Sequence, residues 1–229
     1  PEQILQSLPQ AIQTMLDPAD CGPACISLSQ DVQGEVYEYP EEFFKEKIHN
    51  IRRPRADDYQ IKEAAKKIKK SKNPIIISGG GVFYSDAMEE LSNFATKHNI
   101  PVTQTVMGYS TMKRDHSHFL GPIGGLGGKA ANNFAKKTDL AIAVGTKLGD
   151  FTTGSWANFE NPNFSLVSIN VARFDASKHL AQSVIGDAKV SLNELSQALG
   201  NWKASDSWYK KSRDELKSWN EYVDKESGP

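Results

Sequence analysis

The sequence predicts a doubly wound α/β domain, a parallel sheet of about five or six strands with helices on both faces, Rossmann-like in plan. Three observations carry this. Short apolar runs alternate with helical patterns between residues 58 and 200. The runs are apolar at almost every position, as strands covered on both faces must be. Glycines gather where runs end, as Gly79-Gly80-Gly81 and as Gly121, Gly124, Gly125, Gly127 and Gly128. A glycine turn that opens onto a helix is how such folds present backbone N–H groups to a ligand.

Ile4, Leu5, Leu8, Ile12, Met15 and Leu16 recur at helical spacing. Asp17-Pro18 ends that helix, because the residue before proline is pushed out of the α region. Ala24 through Leu28 reads as a short buried strand. A lone helix and strand build no core, so residues 1–34 are expected to be the closing piece of a domain whose remainder lies elsewhere. Residues 35–57 read as a linker. Its Tyr37, Tyr39, Phe43 and Phe44 suggest packing on something, and Arg52-Arg-Pro-Arg55 suggests an exposed crossing.

Residues 58–200 read as one complete domain. Ile61, Ala64, Ala65 and Ile68 stripe a lysine-rich helix. Pro74–Ser78 is a buried strand entering the triple glycine. Asp86 with Glu89 resembles a capping box for a helix that Asn99 closes. Pro101–Thr105, Leu140–Val144, Phe164–Asn170 and Ser183–Ile185 are further strands. Residues 118–123, before the second glycine cluster, make a weak strand at best. Asp187 is placed to N-cap a helix carrying Ala188, Leu192, Leu195 and Leu199, which Gly200 stops. From Asn201 the chain is polar yet holds Trp202, Trp208, Leu216, Trp219 and Tyr222. Two readings stay open for it: a segment lying on a neighbour, or a helix folded back on its own domain.

Composition excludes several classes. Basic and acidic residues balance at 27 and 28, so no overall charge draws the chain to nucleic acid or a membrane. No apolar run approaches the roughly 20 residues a bilayer requires. The opening lacks a methionine and any signal-peptide pattern, and both ends look cut from a longer protein. The two cysteines, Cys21 and Cys25, are too few for a zinc site and read as reduced thiols, one of them buried, in a cytoplasmic protein.

Gly125-Leu-Gly127-Gly-Lys129-Ala130 formally satisfies the dinucleotide fingerprint, with Asp150 roughly where a ribose-binding acid would stand. By position, Gly79, Gly80 and Gly81 are the better ligand candidates, since such folds bind beyond the carboxyl ends of their strands. Against ligand binding stands the plainer role of glycine in turns and close packing. The Walker pattern fails, because Ala130 replaces the Ser or Thr that would hold magnesium. Asp115, His116 and His118 offer an isolated acid–base pair and two imidazoles. No cluster of carboxylates or thiols completes a metal site around them, and no catalytic residue is assigned.

The order Gly22-Pro-Ala-Cys-Ile-Ser-Leu, Asp115-His116, Leu120-Gly121, Lys129-Ala-Ala-Asn132, Ala-Val-Gly145, Ile169-Asn170 and Gly186-Asp187-Ala188 resembles the thiamine-diphosphate enzymes over residues 18–200. The first motif looks like the end of their pyrimidine-binding domain, and the rest like their middle domain. Ala19 through Tyr39 and Ile51-Arg-Arg-Pro-Arg55 look closest to the branch that hydrolyses a C–C bond of a cyclic trihydroxy-dione in inositol breakdown. The resemblance implies thiamine diphosphate and magnesium in a parent protein, flanking domains joined to this one, a cytoplasmic homo-oligomer, and residues 201–229 leading toward a diphosphate-binding domain. It also implies that none of the catalytic groups is here. The family's activating glutamate would precede residue 1, and its Gly-Asp-Gly is missing: Phe151 follows Gly149-Asp150, and Ala188 follows Gly186-Asp187. The expected role is a non-catalytic central scaffold with no cofactor in this chain. The rival is a nucleotide- or FAD-holding middle domain, as in acetolactate synthases. A free-standing NAD-dependent enzyme with His116 as base is a third reading.

Overall fold

The computed structural model describes residues 1–228. The chain forms two compact units, Pro1–Arg53 and Pro54–Pro229. In the first, α1 (Ile4–Met15) follows the expected spacing and ends before Asp17, whose carboxylate accepts the N–H groups of Ala19 and Asp20. No residue of this unit is buried. Ala24–Leu28, expected as a strand, joins no ladder, because a strand is made by its hydrogen-bonding neighbour and this unit offers none. Cys25, expected to be buried, is exposed with Cys21, and both are free thiols. Tyr37, Tyr39, Phe43 and Phe44 pack on one another, Tyr37 and Tyr39 edge to face at 4.9 Å.

The second unit begins with α2 (Asp58–Lys70), whose Asp57 cap accepts the Tyr59 N–H, and whose Ile61, Ala64, Ala65 and Ile68 turn inward as the stripe requires. There follow β1 (Pro74–Ser78), α3 (Gly80–Tyr84), α4 (Met88–His98), β2 (Val102–Gln104), β3 (Phe119–Pro122), α5 (Lys129–Ala135), β4 (Leu140–Val144), α6 (Asp150–Thr153), β5 (Ser165–Asn170), α7 (Arg173–Ser177), β6 (Gln182–Ile185), α8 (Ala188–Leu199) and α9 (Asp206–Ser227). The six strands are all parallel, in the order β3-β2-β1-β4-β5-β6. The order reverses between β1 and β4, where Ile76 stands beside Val102 on one side and Ile142 on the other. β1 and β4 are buried at every position, which explains their uninterrupted apolar runs.

Two local expectations fail. Asp86 forms no capping box: it sits at φ 51 outside α4, Ala87 takes the cap position without a side-chain bond, and the Asp86 carboxylate faces Lys189 at 3.2 Å. Residues 119–122 do form a strand, short because Gly121 and Pro122 supply no regular side-chain pattern. Asp187 caps α8 as expected, accepting from Lys189 and Val190 N–H.

α9 lies on the sheet unit. Trp208 is 3% exposed, its ring 4.0 Å from that of Phe134, and its Nε1–H donates to the Pro74 carbonyl at 2.8 Å. Farther along the helix the Arg213 guanidinium donates to the Phe119 carbonyl at 2.7 Å, occupying part of the free edge of β3. The amino end of the sheet is closed by Asp139, whose carboxylate accepts Ser71 Oγ–H and the N–H groups of Lys72 and Asn73.

Candidate functional site

Both glycine clusters lie at the carboxyl end of the sheet, at two separate places. Gly79, Gly80 and Gly81 follow β1 at the switch in strand order and form the start of α3. Their crevice is filled by backbone. Gly79 N–H donates to the Val144 carbonyl at 2.8 Å and Gly81 N–H to the Gly145 carbonyl at 2.9 Å. A Cβ at Gly81 would stand 2.6 Å from Gly145 Cα, one at Gly79 would overlap Gly145 and Thr146, and one at Gly80 would lie 3.0 Å from the Met107 carbonyl oxygen. Gly108, after β2, closes on Ser78 and Gly79 in the same way. The glycines of three connections thus let three backbones meet, and the Gly79 and Gly81 N–H groups are engaged within the fold.

The second cluster has the strand–loop–helix context that its sequence lacks on inspection, since β3 precedes it and α5 follows. Its donors are again engaged: Gly125 N–H with the Phe151 carbonyl at 2.7 Å, Gly127 N–H with Gly124 at 2.8 Å, and Gly128 N–H with Pro122 at 2.9 Å. Gly124 (φ +105) packs against Phe151 and Thr152, and a Cβ at Gly128 would touch Trp219 Nε1 at 3.0 Å. Asn132 holds the loop in both directions, accepting the Gly124 N–H at 2.9 Å and donating to its carbonyl at 3.0 Å. Nothing in the spacing of these two residues announces that pairing. Lys129 points its ammonium at the Tyr222 ring, 4.8 Å from the centroid. Beside this loop a groove of about 600 Å³ opens between the ends of β2 and β3 and α9, walled by Tyr109, Leu126, Leu216 and Trp219 with Arg114 at its margin.

The other titratable candidates fall elsewhere. Asp150 opens α6, and its carboxylate accepts the Ser155 hydroxyl at 2.9 Å. His116 and His118 stand at the amino end of β3, away from both glycine clusters, with ring centroids 5.7 Å apart. His118 bonds Asn99 Oδ1 through Nε2 at 3.2 Å and stacks on Tyr209 at 4.6 Å. Burial, reinforced by the positive charges of His116 and Arg213, pushes its pKa down to about 4. His98 is likewise lowered by burial, held between the Trp202 carbonyl and Ser196 Oγ.

The donor set does not fit a magnesium–diphosphate site. Among the described residues no three His, Cys, Asp or Glu side chains stand close enough to share a metal ion. Asp187, in the motif nearest to Gly-Asp-Gly, is committed to capping α8.

A parallel six-stranded sheet wound in this order, with glycine connections at its carboxyl end, defines a Rossmann-like central domain. Residues 61–195 match the family model described as the thiamine pyrophosphate enzyme, central domain, and the chain belongs to that family. Its curated relatives narrow the branch. It is 46% identical over 207 residues, 90% of this chain and 32% of the relative, to the 3D-(3,5/4)-trihydroxycyclohexane-1,2-dione hydrolase of Clostridium perfringens. The proteins of that name from Clostridium botulinum and Bacillus licheniformis are 44% identical over 221 residues (96% of this chain, 34% of the relative) and 42% identical over 204 residues (89% and 32%). The chain spans about a third of the length of these relatives. Among the described residues no helix is long and apolar enough to cross a membrane.

Proposed function

We propose that this chain is the non-catalytic central domain of a thiamine-diphosphate-dependent hydrolase that cleaves a C–C bond of a trihydroxycyclohexane-1,2-dione. The observation that carries the reading is the 46% identity across 90% of the chain to a hydrolase of that name. Its part in the reaction is to hold the catalytic domains of a cytoplasmic, oligomeric parent polypeptide in register, with residues 1–34 the closing piece of the pyrimidine-binding domain and residues 201–229 a link, laid along the sheet unit as α9, toward the diphosphate-binding domain. Thiamine diphosphate and magnesium belong to the parent's other domains, where the cofactor would supply a carbon nucleophile for C–C cleavage.

One observation favours the rival nucleotide reading: β3, the Gly125–Gly127 loop and α5 stand in the order a dinucleotide fingerprint needs. Opposing it, the N–H groups of Gly79, Gly81, Gly125, Gly127 and Gly128 already have backbone acceptors, and no cradle for a diphosphate remains among them. The test is turnover. The parent polypeptide with thiamine diphosphate and magnesium should open the cyclic dione, while this chain under the same conditions should not. A parent that binds the cofactor yet leaves the dione intact would refute the substrate assignment.

A further inference from the structure

His118 is 6% exposed and stands where the connection entering β3 meets the end of α4 and the first half of α9. Its hydrogen bonds define its protonation state. Asn99, closing α4, spends its amide hydrogens on the Ala204 carbonyl at 3.2 Å and the Asp206 carboxylate at 3.1 Å. Its Oδ1 can only accept, and it takes the Nε2–H of His118 at 3.2 Å. Nδ1 then accepts the Ser117 hydroxyl at 3.0 Å, so the neutral ring is satisfied on both sides. α9 leans on the same place. Tyr209 stacks on the His118 ring at 4.6 Å, and its hydroxyl donates to the Ser117 carbonyl at 3.0 Å. Arg213 lies over the Tyr209 ring and holds the Phe119 carbonyl. The charge around the imidazole is positive: Arg213 faces it from α9, and His116, whose Nδ1 accepts the His118 N–H, faces it from its own connection. α4 offers the neutral Asn99, and the Asp206 carboxylate is reached only through that amide. Among the described residues no carboxylate bonds the ring.

We infer that His118 is a proton-sensitive latch for α9: a proton taken up there releases the helix from Tyr209 onward while the sheet stays folded. The added charge would sit in a dry junction beside Arg213, with no carboxylate to answer it. The sheet side cannot relieve this, because β3 is paired along β2 and Phe119 is buried. The helix can. Arg213 holds the sheet through the Phe119 carbonyl, and next along α9 Glu215 accepts from Asn133 Nδ2 at 3.2 Å and from the exposed Lys137 ammonium at 2.9 Å. Exposed pairs of that kind hold weakly. Trp208, packed on Phe134 and bonded to the Pro74 carbonyl, marks where the release stops. Moving Tyr209 and Arg213 away opens the imidazole to water and separates the like charges. Neutral His118 keeps the latch shut above the ordinary pKa of 6.5, and the hold is lost as pH falls toward the folded value of about 4. The inference concerns this chain by itself and does not depend on the function proposed above.

Native-state amide exchange on this chain, corrected for the intrinsic pH dependence of each amide, tests the latch. Residues 210–220 should be less protected than Ile76 and Ile142 at every pH, as a local opening requires. Their protection should also fall about 25-fold between pH 7.5 and 5.0, where the released His118 takes a proton that the docked ring refuses and ordinary carboxylates stay ionised. His118→Asn should remove that fall. Asn99→Asp tests the sign: a carboxylate on Nε2 favours the protonated ring, so the protection of α9 should rise as pH drops, an inversion that a merely structural Asn99 would not produce. Equal protection of α9 and the sheet at neutral pH would overturn the inference, since the helix would then open only with the whole unit. So would protection of α9 that ignores pH, or the wild-type slope persisting in His118→Asn. Should His118→Asn fail to fold, the slope in Asn99→Asp decides, and an unchanged loss in acid there would overturn the inference.

Discussion

Gly81→Ala separates a glycine that binds from a glycine that packs. Gly81 lies in α3 with no positive φ, so alanine suits its backbone and its helix, where the exchange alone would gain up to about 1 kcal/mol. The obstacle is the neighbour. The new Cβ would stand 2.6 Å from Gly145 Cα and 3.0 Å from the Gly145 oxygen, where carbon contacts settle at about 3.5–4.0 Å. The turns after β1 and β4 must therefore part by about 1 Å, stretching the 2.9 Å bond from Gly81 N–H to Gly145. Overpacking of this kind costs about 1–3 kcal/mol, and weakening a buried hydrogen bond adds about 1. After the helix gain the net loss is roughly 1–3 kcal/mol, a fall of roughly 3–10 °C in Tm for a unit of this size. Urea denaturation with an unchanged slope would measure it directly. An alanine tolerated within about 0.5 kcal/mol would show that the turns after β1 and β4 are not closed on each other.

Ile76→Ala, at the fully buried centre of β1, should lose about 2–5 kcal/mol in the same assay, and a loss below about 1 would mean that the strand is peripheral. Trp208→Ala should cost about 3–5 kcal/mol, since it removes a buried ring and leaves the Pro74 carbonyl unpaired; near-neutrality would detach α9 from the unit. Acid should weaken the fold through His118. Its folded pKa, about 4, lies below the ordinary 6.5, so the unfolded chain binds the extra proton between those values. The contribution of neutral His118 is complete above about pH 6.5 and is lost as pH falls toward 4, at most roughly 3 kcal/mol in all. His118→Asn should flatten that part of the stability–pH profile, and a profile unchanged by the variant would contradict the burial argument.

What the sequence discloses follows physical range. β1 and β4 are legible because burial on both faces demands apolar residues in a row, a signal local to the strand, and β5 keeps it in Leu166, Val167 and Ile169 around the buried Ser168. β3 is hidden because Phe119-Leu-Gly-Pro122 is short and half of it is glycine and proline. Ala24–Leu28 has the composition of a strand, yet composition supplies no hydrogen-bonding neighbour. Asp86 and Glu89 have capping-box spacing, but the φ of 51 at Asp86 turns its carboxylate toward Lys189. The glycines announce close approach without saying what approaches: the pairing of Gly81 with Gly145 joins the connections after β1 and β4, and that of Gly124 with Phe151 the connections after β3 and β4. Exposed apolar residues stand just beyond several strand ends, Phe83 and Tyr84, Met107, Leu126, Phe151 and Phe174 among them, and only the strand order gathers them on one side.

On the proposed function, this domain takes part in the chemistry by position and holds no cofactor of its own. Calorimetric titration of the chain with thiamine diphosphate and magnesium, and in parallel with FAD, NAD and ATP, tests it most directly. No saturable heat is expected with any of them, and no rise in melting temperature where a bound ligand at a hundredfold excess over its Kd would add about 2.7 kcal/mol. Micromolar, stoichiometric binding of FAD or of magnesium–thiamine diphosphate would contradict it.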